Sequence, residues 1–372
     1  MLSKEGKRIL VITIILTIIG LYEVYSSSKI WALYSKGDSL YYFNRQLVFM
    51  ILGYVALFIF SKINLDAIYK YNKLLLGFSF LLLILVLIPG ISIVKNGSRS
   101  WLGFGSASFQ PSEISKFALI LFTSKYLSDK YKESDKFFKS TFVVLLMAGL
   151  TFLFIMFQPD FGSGIVILLT ILIMSFTSRS KISHYIYLGL IGVLGLALLI
   201  LAEPYRLERI TSYIDPFTDP LGSGFQIIQS IYSLSPGGLL GEGFDGSIQK
   251  HFYLPEPQTD FIFAILCEEW GFIGGVIVLI LFLSFILTGL KCSKESKDLK
   301  KSYLGIGIVG VISIQVIINL SVVVGLIPVT GITLPFISYG GTSLIVTLAL
   351  TGLLINISRK ENKNESNTSG RR

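Results

Sequence analysis

Charge is what this chain has least of. Asp, Glu, Lys and Arg make up 15% of its 372 residues, against 52% hydrophobic residues and a mean hydropathy of +0.70. Soluble domains carry about a quarter charged residues, so a water-soluble globular chain is excluded and a bilayer is the expected solvent. Cysteine is scarce as well. Cys267 and Cys292 lie on either side of a long apolar run, which keeps them apart, and no C-x-x-C or Cys/His cluster offers a zinc site. A disulfide scaffold and a structural metal are thereby excluded. A net charge of +9 in a soluble protein would suggest nucleic acid. In a membrane protein the same excess comes from Lys and Arg in cytoplasmic loops, so no nucleic-acid partner is expected.

Long apolar runs are what the sequence has instead. A helix needs about 20 residues to cross roughly 30 Å of hydrocarbon, and ten segments approach that length: 9–27, 45–61, 73–94, 111–128, 141–158, 162–178, 184–202, 260–290, 303–327 and 341–358. The first is too long for a signal peptide and lacks a small-residue cleavage site, so it is expected to be a retained span. With the N-terminus inside, 23 Lys and Arg fall on the cytoplasmic side and 8 on the other, with Lys116 inside a span. That asymmetry places both termini in the cytoplasm. The expected fold is an all-α polytopic membrane protein of about ten transmembrane helices.

One connection, 203–259 between helices 7 and 8, is long, outward and acidic, and long loops in compact proteins tend to be functional. Within it Phe225, Ile227, Ile228, Ile231, Tyr232 and Leu234 recur at near-helical spacing, predicting a short amphipathic helix at the outer interface. Residues 1–360 are read as a single transmembrane domain. The tail 361–372, ENKNESNTSGRR, has nothing apolar to bury and is expected to be disordered.

An ionisable group in a span costs on the order of 2.5–3.5 kcal/mol on insertion scales, so each one needs a reason. Glu113 and Lys116 open the fourth segment three residues apart, on one helix face. A self-neutralising pair with Lys116 snorkelling outward would account for them. Asp160, in QPDFGSG, would cap the helix that comes after it. Asp260 comes after LPEPQT, where Thr259 would be the N-cap and Asp260 a first-turn acid. Trp101 would be an interfacial belt aromatic. Capping and belting explain each residue singly. They do not explain why Trp101, Glu113, Lys116, Asp160, Asp260 and the ISYGG turn at Tyr339 all gather on the outer side from distant segments. A cavity open to the outer leaflet, for a charged substrate with sugar rings, explains the set, with Glu268 and Glu269 lining its floor.

The strings NGSRSWLGFGSASFQPSEISK, FQPDFGSG, DPLGSGFQIIQS, FYLPEPQTDFIFAILCEEWGFIGG and GLIPVTGITLPFISYGGTS resemble the SEDS proteins (shape, elongation, division and sporulation), the family of FtsW, RodA and SpoVE. The likeness runs from about Tyr25 to Ile357 and leans toward the division and sporulation branch. The resemblance implies a peptidoglycan glycosyltransferase that polymerises lipid II on the outer membrane face. It places the family's essential aspartate at Asp260, its pocket tryptophan at Trp101, its helix pair at Glu113 and Lys116, its PDFG aspartate at Asp160 and its NRQ arginine at Arg45. Two positions depart from the division pattern, Phe252 in place of an acid and Thr330 in place of a lysine, and both bear on branch and activation more than on the reaction.

Transfer to an anomeric carbon held by an α-linked pyrophosphate needs a base for the attacking hydroxyl and positive charge for the leaving group. Asp260 is the candidate base and a candidate metal ligand. Lys116, Arg45, Arg206, Arg209 or Lys250, with a divalent cation (Mg2+ or Mn2+), would stabilise the pyrophosphate. Glu256 and Tyr339 complete the expected substrate-binding set. The resemblance also implies a class B penicillin-binding protein as partner, among division or sporulation membrane proteins. Two competing readings are a lipid II flippase, against which stand the one-sided charges and the lack of short broken helices in the sequence pattern, and a scaffold that only positions other enzymes.

Overall fold

A computed structural model describes residues 2–95, 98–104, 107–178, 180–201, 207, 211, 213–222 and 224–359. Each of the ten apolar segments falls on a helix. In chain order these are α1 (Lys4–Lys36), α2 (Tyr41–Lys62), α4 (Asn72–Leu87), α5 (Pro111–Asp129), α6 (Thr141–Met156), α7 (Phe161–Phe176), α8 (Ile182–Leu201), α10 (Ile262–Glu295), α11 (Leu299–Val323) and α12 (Gly341–Ile357). Two short helices join them, α3 (Leu65–Lys70) and α9 (Phe225–Leu234). Four of the long ones, α1, α2, α10 and α11, are long and apolar enough by themselves to cross a membrane. The polarity is that of a bilayer protein. Val48, Ile51, Val55 and Phe58 of α2 face outward while Glu23, Gln46, Glu113 and Lys116 are buried, and apolar patches on that scale mark a lipid or protein contact.

The helix ends obey their local chemistry. Ser3 caps α1 by accepting the Gly6 amide at 2.8 Å, and Gly37 ends it in the left-handed conformation that glycine adopts without steric cost. With 33 residues, α1 is about 50 Å long at 1.5 Å per residue, so it overruns any hydrocarbon core. Segments of the N-terminal end of the bundle bond to one another: Lys291 to Glu5, Tyr69 to Lys300, and Asn356 to Phe60 and Ile63. Segments of the far end do likewise, Ser98 with Gln158, Gln110 with Thr342 and Gln46 with Ser338. The two ends assigned by loop charge are therefore also two ends in space.

Three findings depart from the sequence-based expectation. The fold is not all-α: 92–94, counted there with the third span, belongs to a three-stranded antiparallel sheet of β1 (Ser92–Lys95), β2 (Ser98–Phe104) and β3 (Ala107–Phe109) in the order β1-β2-β3. Leu102 pairs with Phe109 and is buried against Leu82 and Val86 of α4, seating the sheet on the bundle. A helix also breaks. Gly271, within α10, has φ 66° and ψ −168°, dividing it about 14 Å from its start. The amphipathic helix α9 exists where expected, but its stripe is rotated. Ile227, Ile228, Ser230 and Ser233 are buried while Ile231 and Tyr232 are exposed, because the Ser230 hydroxyl donates to the Val323 carbonyl at 2.9 Å and turns that face inward. The tail 361–372 lies outside the described residues.

Candidate active site

The far end of the bundle gathers its polar residues through α2, α5, α7, α11 and the turn before α12. Asp160 is the N-cap of α7 as expected, accepting the Ser163 amide at 3.1 Å, and its other oxygen takes the Gln110 side-chain amide at 2.8 Å. Gln110 in turn donates its backbone N–H to the Thr342 hydroxyl at 3.3 Å. One residue before α5 thus ties the starts of α7 and α12 together. Its position immediately before a Pro-initiated helix is the signal the sequence offers for it.

Asp260 does not occupy the place the capping reading gave it. The helix begins at Ile262 with Phe261 as its cap residue and no side-chain cap, so Thr259 is not the N-cap and Asp260 lies outside the first turn. The dipole therefore does not explain the aspartate. Its carboxylate accepts the Thr259 hydroxyl at 2.8 Å. Its carbonyl accepts the side-chain amide of Asn319, which also donates to the Ile332 carbonyl, at 2.7 and 2.8 Å. Asn319 is buried inside α11 and is the second residue missed: an amide within an apolar run carries a desolvation cost unless it bonds, which is a signal in itself.

The ISYGG turn closes on the same segment. The Tyr339 amide donates to the Gln258 carbonyl at 2.8 Å, two residues before Asp260. Gln46 of α2 donates to the Ser338 carbonyl at 3.1 Å. The Tyr339 ring meets Tyr42 edge-on at 5.0 Å, and its hydroxyl bonds the Arg45 guanidinium. Burial pushes the Tyr339 phenol above its ordinary value, against the opposing pull of Arg45, whose guanidinium donates to the phenol oxygen. Arg45 also lies over the Tyr41 and Phe49 rings at 5.5 and 5.8 Å, so the expected NRQ arginine, Tyr339 and Asp260 belong to one connected group.

Other expected residues stand apart. Lys116 does not snorkel. It is buried with Glu113 at 2.7 Å and borders a small cavity with Leu119, Ile120, Ile167, Thr170 and Ile171, because a charge this deep is held by its counter-ion rather than by bulk water. Lys250 is not an available cation either: its ammonium bonds Glu269, Asp245 and Ser26 at 2.8, 2.6 and 3.2 Å. Glu268 and Glu269 line no open floor. Both are buried, Glu268 accepting from Ser247 and from the amides of Ile248 and Gln249. Trp101 is part of β2 opposite Ile93, not a belt residue on a helix end, and is partly exposed beside buried Ser100 and Leu102. Glu256 is partly buried with φ 45° and borders, with Trp31 and Phe252, a cavity of about 210 Å3. Arg206 and Arg209 lie outside the described residues.

Among the described residues no three His, Cys, Asp or Glu side chains converge as a metal cage. Mg2+ commonly binds through one or two carboxylates plus substrate phosphates, and a single carboxylate at Asp260, with its neighbouring hydroxyl on Thr259, fits that smaller donor set.

A solved chain described as "Structural coordination of polymerization and crosslinking by a peptidoglycan synthase complex" superposes with a TM-score of 0.74 at 30% identity, over 94% of this chain and 96% of that one. The rod shape determining protein RodA of Thermus thermophilus superposes with a TM-score of 0.69 at 26% identity, over 94% and 95%. Stage V sporulation protein E of Bacillus subtilis (strain 168) is 50% identical over 351 residues, 94% of this chain and 96% of the relative. A probable peptidoglycan glycosyltransferase FtsW of Saccharophagus degradans is 39% identical over 357 residues, 94% and 91%. The family model for FtsW, RodA and SpoVE, described as "Cell cycle protein", matches residues 7–363; the chain belongs to that family.

Proposed function

We propose that this chain is a peptidoglycan glycosyltransferase of division or sporulation, polymerising lipid II at the end of the bundle that carries Asp260. That end faces outward, with ten spans and both termini in the cytoplasm, on the strength of the 23-to-8 split of Lys and Arg. The observation that carries the chemistry is the setting of Asp260. It is partly exposed, and it is anchored through its carbonyl by a buried amide, while Glu113 is sealed in an ion pair and Asp160 is engaged as a cap.

In this reading the acceptor 4-hydroxyl gives its proton to the Asp260 carboxylate as its oxygen bonds to C1 of the donor sugar. The bond from C1 to the pyrophosphate oxygen breaks with its electron pair on the leaving lipid pyrophosphate, and a single displacement turns the α-linkage into a β-1,4 link. Arg45 supplies positive charge beside the site, oriented by Tyr339 and Tyr41. Asp260, with the Thr259 hydroxyl beside it, would be the residue to hold a divalent cation, which would supply neutralisation of the departing charge. Trp101 offers an aromatic face for a sugar or the lipid. The relation to a solved peptidoglycan synthase complex supports a class B penicillin-binding protein as partner, which co-purification after solubilisation tests.

The deciding experiment gives purified protein lipid II in detergent and resolves the glycan ladder, for wild type and for Asp260→Asn. Asparagine keeps the backbone carbonyl's bond from Asn319 and removes the proton acceptor. Synthesis is expected to fall by at least about 10²-fold, the lower end for loss of a general base, with an unchanged size-exclusion profile. Robust polymer from the asparagine variant would remove Asp260 from the mechanism. Translocation in liposomes without polymer would favour the flippase, the reading to which the helix break at Gly271 lends its support.

A further inference from the structure

The break in α10 is filled by the outer loop. In an unbroken helix the amides of Phe272 and Ile273 would bond the carbonyls of Glu268 and Glu269. Here Phe272 and Ile273 donate to Gly238 and Leu239 at 2.9 and 3.2 Å, and the two freed carbonyls accept from Glu242 and Gly243 at 3.0 Å each. Four backbone bonds therefore lay the segment 238–243 into the helix. Only glycine fits at the crossing, since a Cβ on Gly241 would meet the Glu269 carbonyl and one on Gly271 the Gly241 amide.

The side chains just before the break fasten the next stretch of the loop. Glu268 holds the 247–249 turn through Ser247 Oγ at 2.5 Å and the Ile248 amide at 2.8 Å. Lys250, 1% exposed, spends its three N–H donors on Glu269, Asp245 and Ser26, and Asp245 is also paired with Lys29 of α1 at 2.9 Å. From Lys250 the chain runs ten residues to Asp260 over the cavity bordered by Trp31, passing Phe252 and Glu256 in left-handed backbone. Such conformations persist in non-glycine residues where the surroundings over-determine them. The far end is fixed by Tyr339 and Asn319. The near end is fixed by Lys250.

We propose that Lys250, clamped by Glu269 and Asp245, is a positioning residue for Asp260: it sets the near end of the 250–260 segment and so the place of the carboxylate, without touching substrate. The proposal rests on the reading of Asp260 as the base. It differs from the sequence-based role of Lys250 as a pyrophosphate cation, since no ammonium proton remains for a ligand.

The test is steady-state glycan synthesis by wild type, Lys250→Met, Asp260→Asn and the double variant, each checked by size exclusion. Displacing a catalytic group by about 1 Å costs roughly 10²-fold, so Lys250→Met should lower kcat by about 10- to 100-fold and move KM for lipid II by less than about threefold. Because Lys250 acts through Asp260, Lys250→Met should add nothing to the residual turnover of Asp260→Asn. A loss that multiplies fully in the asparagine background, a loss carried by KM, or an unchanged kcat overturns the positioning role. Wild-type activity of Asp260→Asn alone overturns the base reading instead. Should Lys250→Met not fold, Lys250→Met with Glu269→Leu removes both buried charges while leaving Asp245 with Lys29; normal kcat in that variant also overturns the proposal.

Discussion

The Glu113–Lys116 pair offers the most direct test of how charge is stored in this fold. The side chains are 6% and 3% exposed and 2.7 Å apart, and the lysine borders a small cavity with Leu119, Ile120, Ile167, Thr170 and Ile171, so bulk water and salt are poor substitutes for a missing partner. Removing one member of such a pair leaves the other charge uncompensated at a cost of about 3–5 kcal/mol. Lys116→Ala should sit at the upper end, because it also deletes buried methylenes worth about 0.8 kcal/mol each. Lys116→Arg keeps the charge but forces a larger head into a closed site, costing about 1–3 kcal/mol by overpacking, and should retain more activity than alanine. Combining Glu113→Gln with Lys116→Met removes both charges at nearly constant volume, and a buried pair replaced in that way is often neutral or stabilising. Unfolding of wild type, Glu113→Gln, Lys116→Met and the double variant in detergent should therefore show a coupling of at least about 3 kcal/mol. A double variant as unstable as the sum of its singles would refute the claim that the pair exists to neutralise itself.

Asn319→Leu removes the donor to both Asp260 and Ile332, two bonds at about 1–3 kcal/mol each for acceptors left unsatisfied; reduced thermal stability with reduced glycan synthesis is expected, and wild-type values for both would show the bridge to be dispensable. Trp101→Phe should keep more activity than Trp101→Ala if a sugar or lipid face packs on it, and wild-type activity of both would leave Trp101 a purely structural member of β2. Partial burial works to raise the Asp245 carboxyl, but hydrogen bonds from Lys250 and Lys29 outweigh it and hold it below the ordinary carboxylate range. A depressed carboxylate contributes its stability above the unfolded value of about 3.9 and loses it as pH falls through the folded one. Hydrogen exchange of the 238–250 amides should be constant in protection from about pH 5 to 8 and weaken only below that window; loosening near neutral pH would contradict the assignment.

The bilayer as solvent, the helices and an expected orientation were legible along the chain, because those arise from terms that add residue by residue. Ten apolar runs coincide with ten helices since each must satisfy its own backbone in hydrocarbon. The shared end of Asp160, Asp260 and Tyr339 was legible from loop charge together with the family's motifs. Asp160 was legible even in detail, because a cap bonds an amide three residues away and needs no partner from elsewhere. The first hairpin of the sheet was legible in principle, since Asn96-Gly97 is a hairpin dipeptide, although the stretches that flank it do not alternate. Which charges remain available is settled by packing between distant segments. Lys116 and Lys250 look alike in the sequence as cations near an outer face, yet both are sealed against carboxylates, one on its own helix and one nineteen residues away across a broken helix. The break at Gly271 itself is unreadable locally, since the amides that fill it come from residues 242 and 243, and hydrogen bonds between distant segments leave no period in a sequence.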